Sequence, residues 1–211
     1  MLTLLPTPIG NIEDISLRAL RVLGEADVLL CEDTRVARKL LHLLSERHGL
    51  NHSIQRFVSL HSYNEAERLE TFDRAFFEQN VVYMSDAGMP CISDPGALLV
   101  AYCRKHGIDY TVLPGPSAFT TAYAAGGFSE SRFIFYGFLP HKGKARESEL
   151  QALVNERYPV IFYEAPHRLE KLLDELEKNA PGRTIFAAKE ITKKHERYFK
   201  GTPAELKAAI T

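Results

Sequence analysis

Val81-Val82-Tyr83-Met84 is apolar without a break, and it runs straight into Ser85-Asp86-Ala87-Gly88-Met89-Pro90-Cys91-Ile92-Ser93-Asp94-Pro95-Gly96 and then into a helical pattern over Ala97 to Cys103. A strand with no polar alternation is covered on both faces, the condition of a parallel strand between helices. The same order of short apolar run, loop and helix recurs along the chain. Thr3-Leu4-Leu5 precedes a helix expected over Ile15 to Leu23 with Asp14 as its cap. Ala26 to Cys31 precedes a helix expected over Arg35 to Leu44, capped by Thr34. A charged helix is expected over Asn64 to Glu78. Tyr110-Thr111-Val112-Leu113 then leads into Pro114-Gly115-Pro116-Ser117-Ala118 and a small-residue helix ending at Gly126-Gly127. Parallel neighbours require a crossover, usually a helix, so this alternation predicts an α/β protein with a wound, mostly parallel sheet.

Open sheets of that kind bind ligands outside the C-terminal ends of their strands. The loop from Ser85 to Gly96 stands at such an end and is too long and too rich in Gly, Pro and Asp to be a mere connector. Backbone N–H groups around Gly88 are read as donors to a carboxylate, and Asp86 or Asp94 as partners for an ammonium or hydroxyl. Other strand ends are equally unusual: Pro6-Thr7-Pro8-Ile9-Gly10-Asn11, Cys31-Glu32-Asp33-Thr34-Arg35, Pro114 to Ala118, Tyr163-Glu164-Ala165-Pro166-His167-Arg168 and Lys189-Glu190-Ile191-Thr192-Lys193-Lys194-His195-Glu196. Plain structural explanations also exist: a stiff turn for the first, a capped helix start for the second, tight helix packing for the third and a solvated charged face for the last.

After Gly127 the pattern changes. An aromatic strand is expected over Arg132 to Phe138, then a basic, mobile segment His141-Lys142-Gly143-Lys144-Ala145-Arg146. A helix over Glu147 to Asn155, a strand Val160 to Tyr163, a helix over Arg168 to Lys178 and a strand Thr184 to Ala187 complete a second unit. The boundary is placed within residues 119–131, giving an N-terminal α/β domain over 1–125 and a C-terminal one over 126–211.

The 211 residues carry a net charge of −1, so no global field attracts nucleic acid and any such contact must use local basic patches. Cys31, Cys91 and Cys103 have no C-x-x-C spacing and no neighbouring His base, which argues against a disulfide framework, a zinc site and a cysteine nucleophile. A reducing, cytoplasmic setting fits best. The start of the chain lacks the basic region of a signal peptide, and no run approaches the ~18 apolar residues of a membrane span. There is neither a G-x-G-x-x-G nor a Walker A motif, and the histidines show no H-E-x-x-H spacing.

Taken in order, the strand-end motifs, together with Gly137-Phe138-Leu139-Pro140, resemble those of the small-subunit ribosomal RNA 2′-O-methyltransferases that act on a cytidine, a branch of the tetrapyrrole methylase superfamily. The resemblance runs from about residue 3 to about residue 201. It implies two α/β domains with S-adenosylmethionine in the cleft between them, S-adenosylhomocysteine as product, and a homodimer. By position it assigns Pro8, Ser85, Asp86, Ala87, Gly88, Ile92, Ser117, Ala118, Tyr163, Glu164 and Ala165 to the cofactor. Cys91 stands where that family carries glycine, and the family continues past Thr211 with a further strand and a C-terminal extension.

The implied reaction is in-line attack of a ribose 2′-oxygen on the sulfonium methyl. Asp33, Glu164 and His167 are candidates for a base, with Arg35 and Lys193 holding phosphate or steering a carboxylate. Small-subunit RNA, free or in the assembled subunit, would meet Lys142, Lys144, Arg146 and Lys194 through phosphate, with Tyr136 or Phe138 as stacking surfaces. Three alternatives differ in class: a methyltransferase acting on a small tetrapyrrole, a metal-dependent hydrolase using Glu32, Asp33, Asp86, Asp94 and Glu190, and an RNA-binding protein that holds cofactor without catalysis.

Overall fold

The short apolar runs form one five-stranded parallel sheet. Its strands are β1 (Leu2–Leu4), β2 (Val28–Cys31), β3 (Arg56–Ser59), β4 (Val81–Met84) and β5 (Tyr110–Val112), in the order β3-β2-β4-β1-β5. This computed structural model describes residues 1–210 and divides into two compact units, the first being Met1–Ser117 and the second beginning at Ala118.

Alternation along β4 shows why its run is unbroken. Val81 and Tyr83 enter a core with Leu2, Leu4, Leu30, Phe72 and Leu99, while Val82 and Met84 enter the opposite core with Leu5, Leu29, Leu23 and Leu41. Both faces are dry, so neither tolerates a polar side chain.

The crossover helices of this unit are α1 (Leu17–Gly24), α2 (Thr34–His48), α3 (Glu65–Glu70) and α4 (Ala97–His106). Two expected caps are corrected. Ser16, not Asp14, accepts from the Ala19 N–H at 3.0 Å, because Asp14 is taken up in a preceding 3₁₀ turn, Ile12–Asp14. Asp33, not Thr34, caps α2 by accepting from the Arg35 N–H at 2.8 Å. The single helix expected over 64–78 is broken. The Asp73 carboxylate accepts from the Phe76 N–H at 2.9 Å and starts a separate 3₁₀ turn, Ala75–Phe77. β3 has no clear sequence signal, because Arg56-Phe57-Val58-Ser59 is an edge strand with only Val58 fully inside.

From the adjacent strands β1 and β4 the chain leaves in opposite directions, β1 toward β2 and β4 toward β5. That is the topological switch point of the sheet, where a crevice opens beyond the strand ends.

The second unit contains α5 (Ala118–Gly126), a parallel pair β6 (Ile134–Phe138) and β7 (Val160–Tyr163), and helices α6 (Gly143–Val154) and α7 (Leu169–Asn179). An antiparallel hairpin of β8 (Ile185–Lys189) and β9 (Arg197–Gly201) precedes α8 (Pro203–Ile210). Its core is smaller, centred on Leu139, Leu150, Leu172 and Leu176. The segment expected to be mobile instead begins α6, with Lys142 in the N-cap position. β9 and α8 add to the expected elements, and Lys189 to Glu196 runs from the end of β8 through the turn of the hairpin. Among the described residues no helix is long and apolar enough to cross a membrane.

Candidate functional site

The loops after β1 and β4 meet at the switch point. Thr7 and Gly88 form an isolated bridge, the Thr7 N–H donating to the Gly88 carbonyl at 2.9 Å and the Gly88 N–H to the Thr7 carbonyl at 3.0 Å. The Thr7 hydroxyl, fully buried, donates to the Ser85 carbonyl at 3.2 Å and also lies 3.1 Å from the Gly88 nitrogen. Gly88 sits at φ 90, where a side chain is strained, so glycine is needed for the chain to turn back onto Thr7. This corrects one expectation: the Gly88 N–H is consumed by Thr7 and is not offered to a ligand. Thr7 is the residue that locks the two loops, and its motif alone does not single it out; the available signal is a threonine held between two prolines at a strand end.

The rest of the loop is fixed from below. Glu65, 4% exposed, accepts from the Gly96 N–H at 3.1 Å and the Leu99 N–H at 2.9 Å, and so caps α4 from another helix. Gly96 has φ 118, and a Cβ there would lie 2.6 Å from the Tyr83 ring. Cys91 and Ser93 adopt left-handed backbone at φ 69 and φ 60. The resemblance places glycine at 91 because this is a conformation that glycine enters freely. Burial pushes the Cys31 thiol up to about 12 and those of Cys91 and Cys103 to about 11, so all three are protonated near neutrality.

Carboxylates gather beside this loop. The Asp86 N–H donates to Glu32 Oε1 at 3.0 Å, and the Asp33 N–H to Asp86 Oδ1 at 3.3 Å, tying the end of β2 to the end of β4. Burial, then the neighbouring Glu32, lifts Asp94 to about 6. Burial likewise raises Glu32 and Asp86 above the ordinary carboxylate range. The Tyr83 hydroxyl is fully buried, has no hydrogen-bond partner among the described residues and is raised by burial and by Glu32 and Glu65. Negative charge without a matching cation is the environment that a positively charged ligand relieves. A sulfonium and an ammonium are such charges, so this donor set fits S-adenosylmethionine. Among the described residues, no group of three or more His, Cys, Asp or Glu is arranged to hold a metal ion.

Of the other residues assigned to the cofactor, Pro8 and Ile92 are half-buried, Ala87 is exposed and Ser117 is buried at the end of the first unit. Ala118 opens α5, and Tyr163 and Ala165 flank Glu164 after β7, all partly buried in the second unit.

One expectation changes on the geometry. Arg146 is not an RNA contact: it is 2% exposed, pairs with Glu175 at 2.8 Å and Glu164 at 3.2 Å, and donates to the Pro140 carbonyl at 3.0 Å. The one arginine of its basic run lies on the inward face of α6, whereas Lys142 and Lys144 are exposed. Glu164 sits in a buried ion network. Burial alone would raise it, but hydrogen bonds from Arg168, from the Ala165 N–H and from Arg146 outweigh burial and hold it below the usual range. Asp33 is held low, at about 2, by the Arg35 side chain and the Arg35 backbone N–H. The exposed Arg35 guanidinium lies 2.6 Å from Asp33. His167 is exposed in a 3₁₀ turn, Pro166–Arg168, and Lys193 lies 3.2 Å from Glu190.

A wound parallel sheet whose β1 and β4 loops lock together beside uncompensated carboxylates defines a class that comparison identifies. The family model of the Tetrapyrrole (Corrin/Porphyrin) Methylases matches residues 1–207, and the chain belongs to that family. Within it, the chain is 48% identical to the ribosomal RNA small subunit methyltransferase I of Helicobacter pylori (strain ATCC 700392 / 26695), the alignment covering 98% of this chain and 76% of that protein. The enzyme of the same name from Campylobacter fetus subsp. fetus is 46% identical over the same shares. The fold is shared with uroporphyrin-III C-methyl transferase from Thermus thermophilus complexed with S-adenyl homocysteine. The TM-score is 0.62 at 20% identity, covering 100% of this chain and 86% of that one.

Proposed function

We propose that this chain is an S-adenosylmethionine-dependent methyltransferase that acts on small-subunit ribosomal RNA, at the 2′-oxygen of a cytidine ribose. The observation that carries the reading is the Thr7–Gly88 lock at the β1/β4 switch point with Glu32, Asp86 and Asp94 beside it. Similarity to the small-subunit RNA enzymes over nearly the whole chain favours RNA over a tetrapyrrole acceptor or a hydrolase reaction.

When bound, S-adenosylmethionine supplies a methyl group on a sulfonium and leaves as the neutral thioether. Pro8, Ser85, Asp86, Ala87 and Ile92 would hold it within the first unit, with Ser117 closing the third loop. Ala118, Tyr163 and Ala165 are assigned to it through the resemblance. Asp86 and Asp94 balance the positive charge at binding. The acceptor hydroxyl loses its proton as the new C–O bond forms. With Asp33 and Glu164 held as carboxylates of low basicity, positioning supplies most of the rate and His167 is the remaining base candidate among the three. Lys142, Lys144 and Lys194 are exposed and suited to phosphate. Edge strand β5 leaves Tyr110 and Val112 exposed, which supports a homodimer, and a ribosomal substrate places the reaction in the cytoplasm.

The test is transfer of labelled methyl from S-adenosylmethionine to small-subunit RNA and to assembled small subunits from cells lacking the modification, with and without Mg²⁺. Label on the RNA that is lost in a Thr7→Val, Asp86→Asn variant supports the reading. Label on a tetrapyrrole acceptor alone, or none on any acceptor, refutes it.

A further inference from the structure

The β8–β9 hairpin carries an arrangement that packing does not explain. Lys189 and Arg197 are directly opposite each other across the antiparallel ladder. Like charges in that position repel on one face of a ribbon. Both are exposed, and among the described residues neither has an ion-pair partner. Glu190, the acid beside them, is engaged by Lys193 at 3.2 Å. The turn that joins the strands is itself strained. Glu190 and Thr192 both adopt left-handed backbone, at φ 54 and φ 63. For a β-branched residue such as Thr192 this is uncommon and strained. The Lys193 N–H bond to the Glu190 carbonyl at 2.9 Å and the Glu196 N–H bond to the Lys193 carbonyl at 3.1 Å hold it.

The two cations share a depression of about 290 Å³ with Glu190, His195, Phe199, Ala209 and Ile210. Phe199 lies two residues after Arg197 on β9, hence on the same face of the ribbon. With Glu190 engaged by Lys193, two cations beside an aromatic and aliphatic lining match one chemistry closely: a phosphate on the cations and a flat base against the ring. Unstacked bases in single-stranded RNA are recognised in this way, by stacking combined with backbone charge.

We propose that Lys189, Arg197 and Phe199 form a subsite for an unpaired nucleotide of the substrate RNA, the two cations holding its phosphate and the ring packing on its base. The inference rests on the RNA reading above and adds residues which that reading did not assign. An anion between Lys189 and Arg197 converts their repulsion into a shared attraction, which gives the strained turn a reason to persist.

The test measures binding of fluorescein-labelled, unmethylated small-subunit RNA to the whole chain at about 50 and about 200 mM salt. A K189Q/R197Q variant is expected to bind about tenfold more weakly at the lower salt. Its plot of log affinity against log salt should be shallower by roughly 0.7 for each phosphate no longer neutralised. The charge-preserving exchange Lys189→Arg with Arg197→Lys should bind like the parent, and Phe199→Leu should weaken binding with the salt slope unchanged. An R104Q/K105Q control, which removes two cations from the end of α4, sets the effect of net charge alone. Calorimetric binding of S-adenosylmethionine should be equal in all variants, showing that they are folded. The inference is overturned if K189Q/R197Q loses no more affinity than the control, or if an acidic peptide competes for the site and the RNA does not. If the parent methylates RNA while the variants bind it unchanged, the subsite alone is wrong. If the parent neither binds nor methylates RNA, the functional reading fails and takes the subsite with it.

Discussion

Glu65 and Arg146 show how much a single buried charge decides in this chain. Glu65 satisfies two backbone N–H groups at the start of α4, and the helix dipole adds to the attraction. Glu65→Ala leaves both donors buried without a partner and is expected to lower stability by about 2–4 kcal/mol. Glu65→Gln keeps an acceptor and should lose about half as much. Denaturant unfolding monitored on the first unit measures both. Arg146 is the centre of a buried network with Glu164, Glu175 and Arg168. Arg146→Ala removes the guanidinium that Glu164 and Glu175 share, leaving Glu164 only its bonds from Arg168 and the Ala165 N–H, and should destabilise the second unit by about 2–4 kcal/mol, whereas Lys142→Ala on the same run should change stability by less than about 0.5 kcal/mol. Equal stability of the two variants would mean that Arg146 is solvated after all. Nothing in the run from Lys142 to Arg146 separates the inward residue from the outward ones until the start of α6 is known, so sequence alone puts all three cations on the surface.

The loop after β4 carries the carboxylates that set a pH response, Asp94 above all. Asp94 rises to about 6 in the folded chain, above its unfolded value, so the fold favours the protonated form. Stability of the free chain therefore falls as pH climbs from about 4 through about 6. A cationic ligand favours the ionised form and must expel that proton below pH 6. Affinity for S-adenosylmethionine is expected to rise by up to about tenfold per pH unit below 6, level off above it and be accompanied by proton release, while Asp94→Asn flattens the profile. Calorimetry in buffers of different ionisation enthalpy reads this directly, and a flat profile in the parent chain contradicts it. The elements themselves are unevenly legible in the sequence. β4 and β2 are readable because both faces are covered and every side chain is apolar. β3 is hidden because an edge strand keeps polar residues, and periodicity overextends the 64–78 helix because Asp73 ends it through one side-chain hydrogen bond. The loops stand out through Gly, Pro and Asp, but the contacts that lock them, Thr7 to Gly88 and Glu65 to Gly96, join residues far apart in the chain and leave no local pattern.

At the scale of the whole molecule, the first unit is a parallel sheet with two full cores and the second has a smaller core and a buried ion network. The wound sheet and β8 are predictable from the sequence, whereas β9 and α8 are not, because Arg197-Tyr198-Phe199-Lys200 alternates too weakly beside a charged turn. The central claim is the acceptor atom: a ribose oxygen of cytidine in small-subunit RNA. It is tested most directly by incubating the whole chain with S-adenosylmethionine and unmethylated small subunits, digesting the RNA to nucleosides and resolving them by mass spectrometry. Expected is one new species, 2′-O-methylcytidine, formed in proportion to enzyme turnover and absent with the Asp86→Asn variant. A methyl group on a base, on another nucleoside or on no RNA at all would contradict it.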